Sequence, residues 1–134
     1  PPVPADIAAL RAIDELERSG LAARGEVKEH FYVLSSILRT YIEARFGIAA
    51  PDMTSEEFLE ATAASSVLPE RHRVSLREFM RIADLAKYAR FRPATHEIGS
   101  TLESARRFVL ETPSIPAPAP ANDGADERVM ATAR

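Results

Sequence analysis

Four charged residues are the candidates for a structural or interaction role in this sequence. They are Arg39 and Arg45 in one predicted helix, and Asp84 and Lys87 in another, with Arg39 and Asp84 at the margins of apolar faces. A charge at such a margin loses part of its water and needs a partner, and guanidinium and carboxylate match as a fork. We therefore predict that Arg39 and Asp84 form a partly buried ion pair that sets how two helices meet. Two alternatives remain: Asp84 pairs with Lys87 three residues on, or Arg39 and Asp84 together face a partner protein.

The histidines do not have the spacing of a metal site. His30, His72 and His96 fall on different predicted helices or helix ends, and no HExxH run joins any two of them. This pattern favours ordinary surface histidines. The chain has no cysteine, which excludes disulfide scaffolds, thiolate zinc sites and thiol nucleophiles.

Other polar pairs also fit structural roles better than catalytic ones. Ser35 and Ser36 lie in mid-helix, where packing of small residues or a hydroxyl bonded back to the helix backbone is the ordinary role. Glu56 and Glu57 stand where a helix begins and favour the positive end of its dipole. The glycines are isolated, so no phosphate-binding loop is present. We predict that the chain is not an enzyme and uses no cofactor or metal.

Arginines recur on one predicted helix and raise the possibility of nucleic-acid binding. They are Arg71, Arg73, Arg77 and Arg81. Glu70 and Glu78 interrupt this stripe, and the formal net charge of the chain is -3. No aromatic residues alternate with the arginines as stacking platforms would. The pattern favours a solvated helix face, although a soluble adaptor or regulator that binds nucleic acid or another protein stays the alternative function.

All of these residues are predicted to lie on helices or at helix ends. Apolar residues recur at three- and four-residue steps and predict an all-α bundle of about five helices, over about 6–19, 26–46, 55–64, 69–89 and 95–111. Asp6 can cap the first helix, whose predicted apolar face includes Ile7, and Pro69 suits the first turn of the fourth. Gly20 and Gly47 are the expected left-handed ends of the first two helices. The second helix has two apolar stripes and is therefore expected to be central.

Composition divides the chain into one domain with two flanking segments. Hydrophobic residues make up 46% and charged residues 28%, as in an ordinary globular domain. We predict a linker at 1–4, a helical bundle at 5–112 and a disordered Pro/Ala-rich tail at 113–134. No apolar run approaches the roughly 20 residues that span a membrane. The chain begins Pro-Pro-Val-Pro without methionine, which suggests a piece of a longer protein.

Three segments match a family pattern when they are taken in order. They are LSSILRTYIEARFGIAAPDMTSEEFLEA, ADLAKYARFRP and SARRFVLET. The matching residues of the first two are Leu34, Ser35, Leu38, Arg39, Tyr41, Ile42, Glu43, Arg45, Phe46, Gly47, Thr54, Glu56, Glu57, Phe58, Leu59, Ala83, Asp84, Leu85, Lys87, Tyr88 and Ala89. In this pattern the chain resembles the cytoplasmic helical domain of bacterial inner-membrane proteins of the Bat (aerotolerance-related) and MoxR-associated type. The likeness covers about residues 8–112.

The resemblance implies a biological setting rather than a reaction. Proteins of this type are non-enzymatic membrane components encoded beside a MoxR-type AAA+ ATPase and von Willebrand factor A proteins, which they are expected to help assemble or remodel. The resemblance therefore implies a membrane helix upstream of this chain, a domain on the cytoplasmic face of the inner membrane, and a protein partner of one of these two kinds. The fragment itself is expected to be soluble. No catalytic or ligand-binding residue is carried over.

Overall fold

The computed structural model describes residues 3–48, 53–64, 68–88 and 92–112. Within these residues the chain forms five helices and no strand, which confirms the predicted all-α fold. The helices are α1 (Ala5–Ser19), α2 (Val27–Phe46), α3 (Ser55–Ala64), α4 (Glu70–Tyr88) and α5 (Thr95–Glu111). The tail predicted for 113–134 lies outside the described residues, as do the first two residues of the predicted linker.

Helix ends follow the local sequence closely. Gly20 ends α1 with φ of 70°, and Gly47 ends α2 with φ of 75°, so both adopt the predicted left-handed conformation. The capping box before α3 is also formed. The Glu57 amide donates to the Thr54 hydroxyl at 3.1 Å, and the Thr54 amide donates to the Glu57 carboxylate at 3.0 Å.

Two predicted helix starts are wrong by one or two residues. The residue that caps α1 is Pro4 rather than Asp6, because the Pro4 carbonyl already accepts the Ala8 amide at 3.0 Å. Asp6 lies within the first turn, where its carboxylate accepts the neighbouring Ile7 amide at 3.0 Å. Pro69 precedes α4 instead of lying in its first turn.

The core is built around α2, as its two apolar stripes predicted. Helices α1, α4 and α5 all pack against α2, whereas α3 packs against α4. The buried side chains of α2 and α4 include Phe31, Leu34, Leu38, Tyr41, Ile42, Leu76, Phe79, Met80 and Ala83. One predicted core residue of α1 is wrong: Ile7 is 41% exposed, and Ala9 is buried with Ile13 and Leu16. Ile7 is two residues from Ala9 and therefore points about 200° away around the helix.

The side chain of Tyr41 ties the end of α5 to the central helix. Its hydroxyl donates a hydrogen bond to the Thr112 carbonyl and lies 2.9 Å from the Thr112 hydroxyl. Burial raises the pKa of Tyr41, while the hydrogen bond to Thr112 opposes that rise. Thr112 is itself buried and donates to the Phe108 carbonyl at 2.7 Å. The bundle therefore extends through Thr112.

Two of the three histidines are buried, so the expectation of surface histidines is wrong for them. His30 and His72 are each 3% exposed, whereas His96 is exposed. His30 lies one helical turn before Leu34 on the buried face of α2, and the His72 ring meets Phe108 edge to face at 5.9 Å. Burial lowers the pKa of both side chains, and Nε2 of each has no hydrogen-bond partner. Burial therefore favours the neutral form of both rings, and among the described residues a carboxylate opposes it only at His72, that of Glu111 at 4.0 Å from Nδ1.

Acid should destabilise the fold through these two histidines. The unfolded chain binds a proton at each as the pH falls through about 6.5, but the folded chain resists until a lower pH. Their stabilising contribution is fully present above this range and is lost as the pH falls through it. We expect urea unfolding at about pH 5.5 to give a lower free energy than at neutral pH. The difference should shrink in a His30→Leu, His72→Leu variant but not in His96→Leu, and an unchanged difference in the double variant would refute this cause.

Candidate functional site

Two grooves run along the outer surface of α2, one on either side of a shared ridge. The apolar groove, between α1 and α2, has a volume of about 710 Å³. The polar groove, between α2, the start of α3 and the end of α4, has a volume of about 730 Å³. Tyr32, Ser36 and Thr40 line both grooves and form the ridge that separates them. The two grooves therefore make one continuous surface.

The apolar groove exists because small side chains line its walls. Ala5, Ala8 and Ala12 form the wall on α1, and Val33 and Ile37 of the second apolar stripe of α2 also line it. No charged side chain is among the described residues that line this groove. Helix α1 packs against α2, but the short alanine side chains leave part of the apolar surface between the two helices accessible.

The polar groove brings together three of the four charged residues singled out in the sequence. Arg39 from α2 and Asp84 and Lys87 from α4 all line it. Thr54 and Ser55, at the start of α3, complete the wall opposite α2. The site therefore depends on the docking of α3, which no single stretch of sequence specifies.

Ser55 links the two residues for which an ion pair was predicted. The Arg39 guanidinium donates from Nη2 to the Ser55 hydroxyl at 3.1 Å, and that hydroxyl donates to Oδ1 of Asp84 at 3.0 Å. Nη1 of Arg39 also donates to the Met53 carbonyl at 2.5 Å. The guanidinium lies 5.1 Å from the ring centroid of Phe58, the buried anchor of α3. The energetic coupling of Arg39 and Asp84 stays a prediction. The Ser55 hydroxyl is the hydrogen-bonded link that can transmit this coupling.

The alternative pairing of Asp84 with Lys87 is present. Nζ of Lys87 lies 3.6 Å from Oδ1 of Asp84. Nζ also lies 5.2 Å from the ring centroid of Tyr32 and 5.3 Å from that of Tyr88. The Lys87 side chain is only 6% exposed, which the sequence did not indicate. This pair is therefore not the weak surface pair that three-residue helical spacing usually gives.

Arg45 does not belong to this site. Its guanidinium lies 4.8 Å from the ring centroid of Phe46, and it lines neither groove. Its positive charge favours the ionised form of Tyr41 and so opposes the rise of the Tyr41 pKa. The structure gives Arg45 a place near the end of α2, away from Asp84 and Lys87.

Ser35 belongs to the site, although the sequence analysis predicted only an ordinary structural role for it. It lines the polar groove, is 3% exposed, and its hydroxyl has no hydrogen-bond partner. The suggested bond to the helix backbone is therefore absent for Ser35, whereas its packing as a small buried residue is confirmed. Its place in the sequence could have identified it as a neighbour of Arg39, since Ser35 lies one turn before Arg39 on the buried side of α2.

The arginine stripe of α4 is not a uniform solvated face. Arg77 and Arg81 are exposed, and Arg81 forms an ion pair with Glu78 at 2.6 Å. Arg73 is half-buried and donates to the Leu68 carbonyl at 2.5 Å, so the solvated-face interpretation is wrong for Arg73. Its guanidinium fastens the segment before α4.

The described residues contain neither a group of three carboxylates or histidines placed to hold a metal ion nor a helix long and apolar enough to cross a bilayer. No family model matches the sequence, and comparison with curated proteins and with solved structures finds no match either.

Proposed function

We propose that this chain is a non-enzymatic protein-interaction domain whose apolar groove receives an amphipathic helix of a partner protein. The apolar groove between α1 and α2 carries this proposal, because none of its described lining residues is charged and several of them, such as Val3, Ala8 and Tyr32, are exposed. Helix-in-groove recognition uses such a surface, with apolar anchors at three- and four-residue steps along the guest helix.

The walls of the groove suit a helix rather than a flat surface. Ala8 and Ala12 on α1 and Ser36 and Thr40 on α2 are short side chains at helical spacing on facing walls. Short side chains allow a third helix backbone to approach closely and to bury its own larger residues between them. The adjoining polar groove offers charged groups to the flank of the same helix.

The biological setting comes from the resemblance to Bat and MoxR-associated proteins. We propose that the full protein is a bacterial membrane protein that holds this domain on the cytoplasmic face of the inner membrane. The partner is a MoxR-type AAA+ ATPase or a von Willebrand factor A protein encoded beside it. The gene should encode one or more apolar helices just before Pro1, and an upstream sequence without one favours the independent soluble adaptor.

Binding to these partners tests the proposal. We expect calorimetric titration to show that the chain binds the ATPase or the von Willebrand factor A protein, and that Ala8→Glu weakens this binding at least about tenfold because it places a charge in the apolar groove. Ala63→Glu, at an exposed position of α3, is the matched control and should bind as the unaltered chain does. Binding to neither protein would refute the proposed partners. Equal binding by the Ala8→Glu and Ala63→Glu variants would refute the apolar groove as the binding site.

A further inference from the structure

The Lys87 ammonium donates no hydrogen bond to any described residue. Its nearest carboxylate oxygen, Oδ1 of Asp84, lies at 3.6 Å, which is beyond hydrogen-bond distance. Tyr32 and Tyr88 offer ring faces to the charge but no acceptor in line with its N–H groups. A lysine ammonium has three N–H donors, and this side chain is only 6% exposed. The ammonium therefore has donors for which the described residues supply no acceptor.

A second buried group in the polar groove also makes no hydrogen bond to the described residues. The Ser35 hydroxyl is buried without any hydrogen bond, although Ser35 lines the same groove as Lys87. Buried hydroxyls are almost always bonded, so an unbonded one beside a groove needs an explanation, and a ligand that enters the groove would supply its acceptor. Ser35 and Lys87 come from different helices, α2 and α4, and so give independent observations.

The start of α3 contributes a positive end to the same groove. Thr54, Ser55 and Glu56 line it, and α3 has ten residues. The first amides of a helix lack partners within the helix and favour negative charge. Among them, the Glu57 amide is bonded to the Thr54 hydroxyl.

The charges of the groove decide which ligand suits it. Arg39 and Lys87 formally cancel Glu56 and Asp84, which are the acidic side chains among the lining residues. Oδ1 of Asp84 is already engaged by Ser55 and Lys87. The groups that still lack a hydrogen-bond acceptor among the described residues are donors: the Lys87 ammonium, the Ser35 hydroxyl and the start of α3. The complementary ligand is a small anionic acceptor, and a cation would meet Arg39, Lys87 and the positive end of α3.

We infer that the polar groove is a carboxylate-binding site that receives an Asp or Glu side chain of the partner helix. This inference rests on the proposed function, because the same helix lies in the apolar groove. Only the ridge of Tyr32, Ser36 and Thr40 separates the two grooves, so an acidic residue on the flank of the guest helix reaches Lys87 across it. The carboxylate accepts from the Lys87 ammonium and the Ser35 hydroxyl.

Acetate and acetamide provide a matched pair of probes, because they share one shape and differ in charge. Each is titrated into the ¹⁵N-labelled chain at constant ionic strength, and the backbone amide signals are followed by NMR. We expect acetate to give saturable shifts at Ser35, Ser55 and Glu56, and acetamide to give none. Lys87→Gln should weaken acetate binding about tenfold or more, since hydrogen bonds to charged groups are the stronger kind.

The other lysine of the chain gives the control. Lys28→Gln removes the same charge from an exposed position in the first turn of α2 and should leave acetate binding unchanged. Ser35→Ala keeps the test valid if Lys87→Gln fails to fold, because it removes only an unbonded hydroxyl. It should weaken acetate binding about threefold.

Equal shifts with acetate and acetamide, or equal weakening by Lys87→Gln and Lys28→Gln, would overturn the carboxylate site. If that happens while Ala8→Glu still loses the partner and Ala63→Glu keeps it, the proposed function stands without this inference. If acetate binds as expected but neither proposed partner binds, the anion site stands and the partner assignment fails.

Discussion

Phe58→Ala should lower the free energy of unfolding by about 3–5 kcal/mol, the cost usual for removing a fully buried aromatic side chain. Phe58 is 0% exposed, and the only other buried residue of α3 is Thr62. Without the Phe58 ring, α3 keeps little apolar surface against α4. We therefore expect α3 to detach first, and with it the Ser55 bridge of the polar groove.

Urea unfolding measures this cost, and amide hydrogen exchange shows whether α3 opens ahead of the other helices. Leu110→Ala is the matched control, because Leu110 is a large apolar residue that is 59% exposed. Its effect should stay within about 0.5 kcal/mol. A loss below about 1 kcal/mol for Phe58→Ala, or uniform exchange across all helices, would contradict the anchoring role of Phe58.

Asp84→Ala should cost about 2–3 kcal/mol, because it leaves the nearly buried Lys87 ammonium without its ion-pair partner. The cost falls at or below the lower end of the range for fully buried pairs, since the Asp84 side chain is 34% exposed. Arg39→Ala removes the other end of the link through Ser55. A double-mutant cycle of Arg39→Ala and Asp84→Ala should give a coupling energy of about 1 kcal/mol or more.

Repeating this cycle with Ser55→Ala tests the route of the coupling. The Ser55 hydroxyl accepts from Arg39 and donates to Asp84, so the coupling that it carries should disappear with it. A coupling that persists in the Ser55→Ala background assigns it to direct attraction between the two charges. Additive effects of Arg39→Ala and Asp84→Ala in the original cycle would contradict an energetic link between the two residues. They would favour the alternative that both residues face a partner protein.

The sequence predicted those features of the fold that depend on residues close together in the chain. Gly20 and Gly47 end helices because a left-handed residue is needed there, and Thr54 with Glu57 starts one because the two reach each other across one turn. Asp6 was misassigned since Pro4, two residues earlier, can also supply the first helical carbonyl. Helix ends are thus predictable to within about two residues.

The site depends on tertiary packing and was only partly predictable. Helical spacing placed Arg39, Asp84 and Lys87 at the margins of apolar faces, and all three line the polar groove. Ser55 could not be identified as the bridge, because its place depends on how α3 docks against α4. The burial of Lys87 likewise depends on Tyr32 of another helix. The apolar groove arises from short side chains on two helices, whose separation no single stretch of sequence specifies.

NMR mapping of the ¹⁵N-labelled chain with its proposed ATPase or von Willebrand factor A partner shows whether the apolar groove receives the partner helix. We predict that the partner changes the amide signals of residues that line the apolar groove, such as Ala8, Ala12, Val33 and Ile37, and that these changes extend across the ridge to Ser55. Changes centred instead on the exposed face of α4 around Arg77 and Arg81, with the α1–α2 groove unaffected, would contradict it.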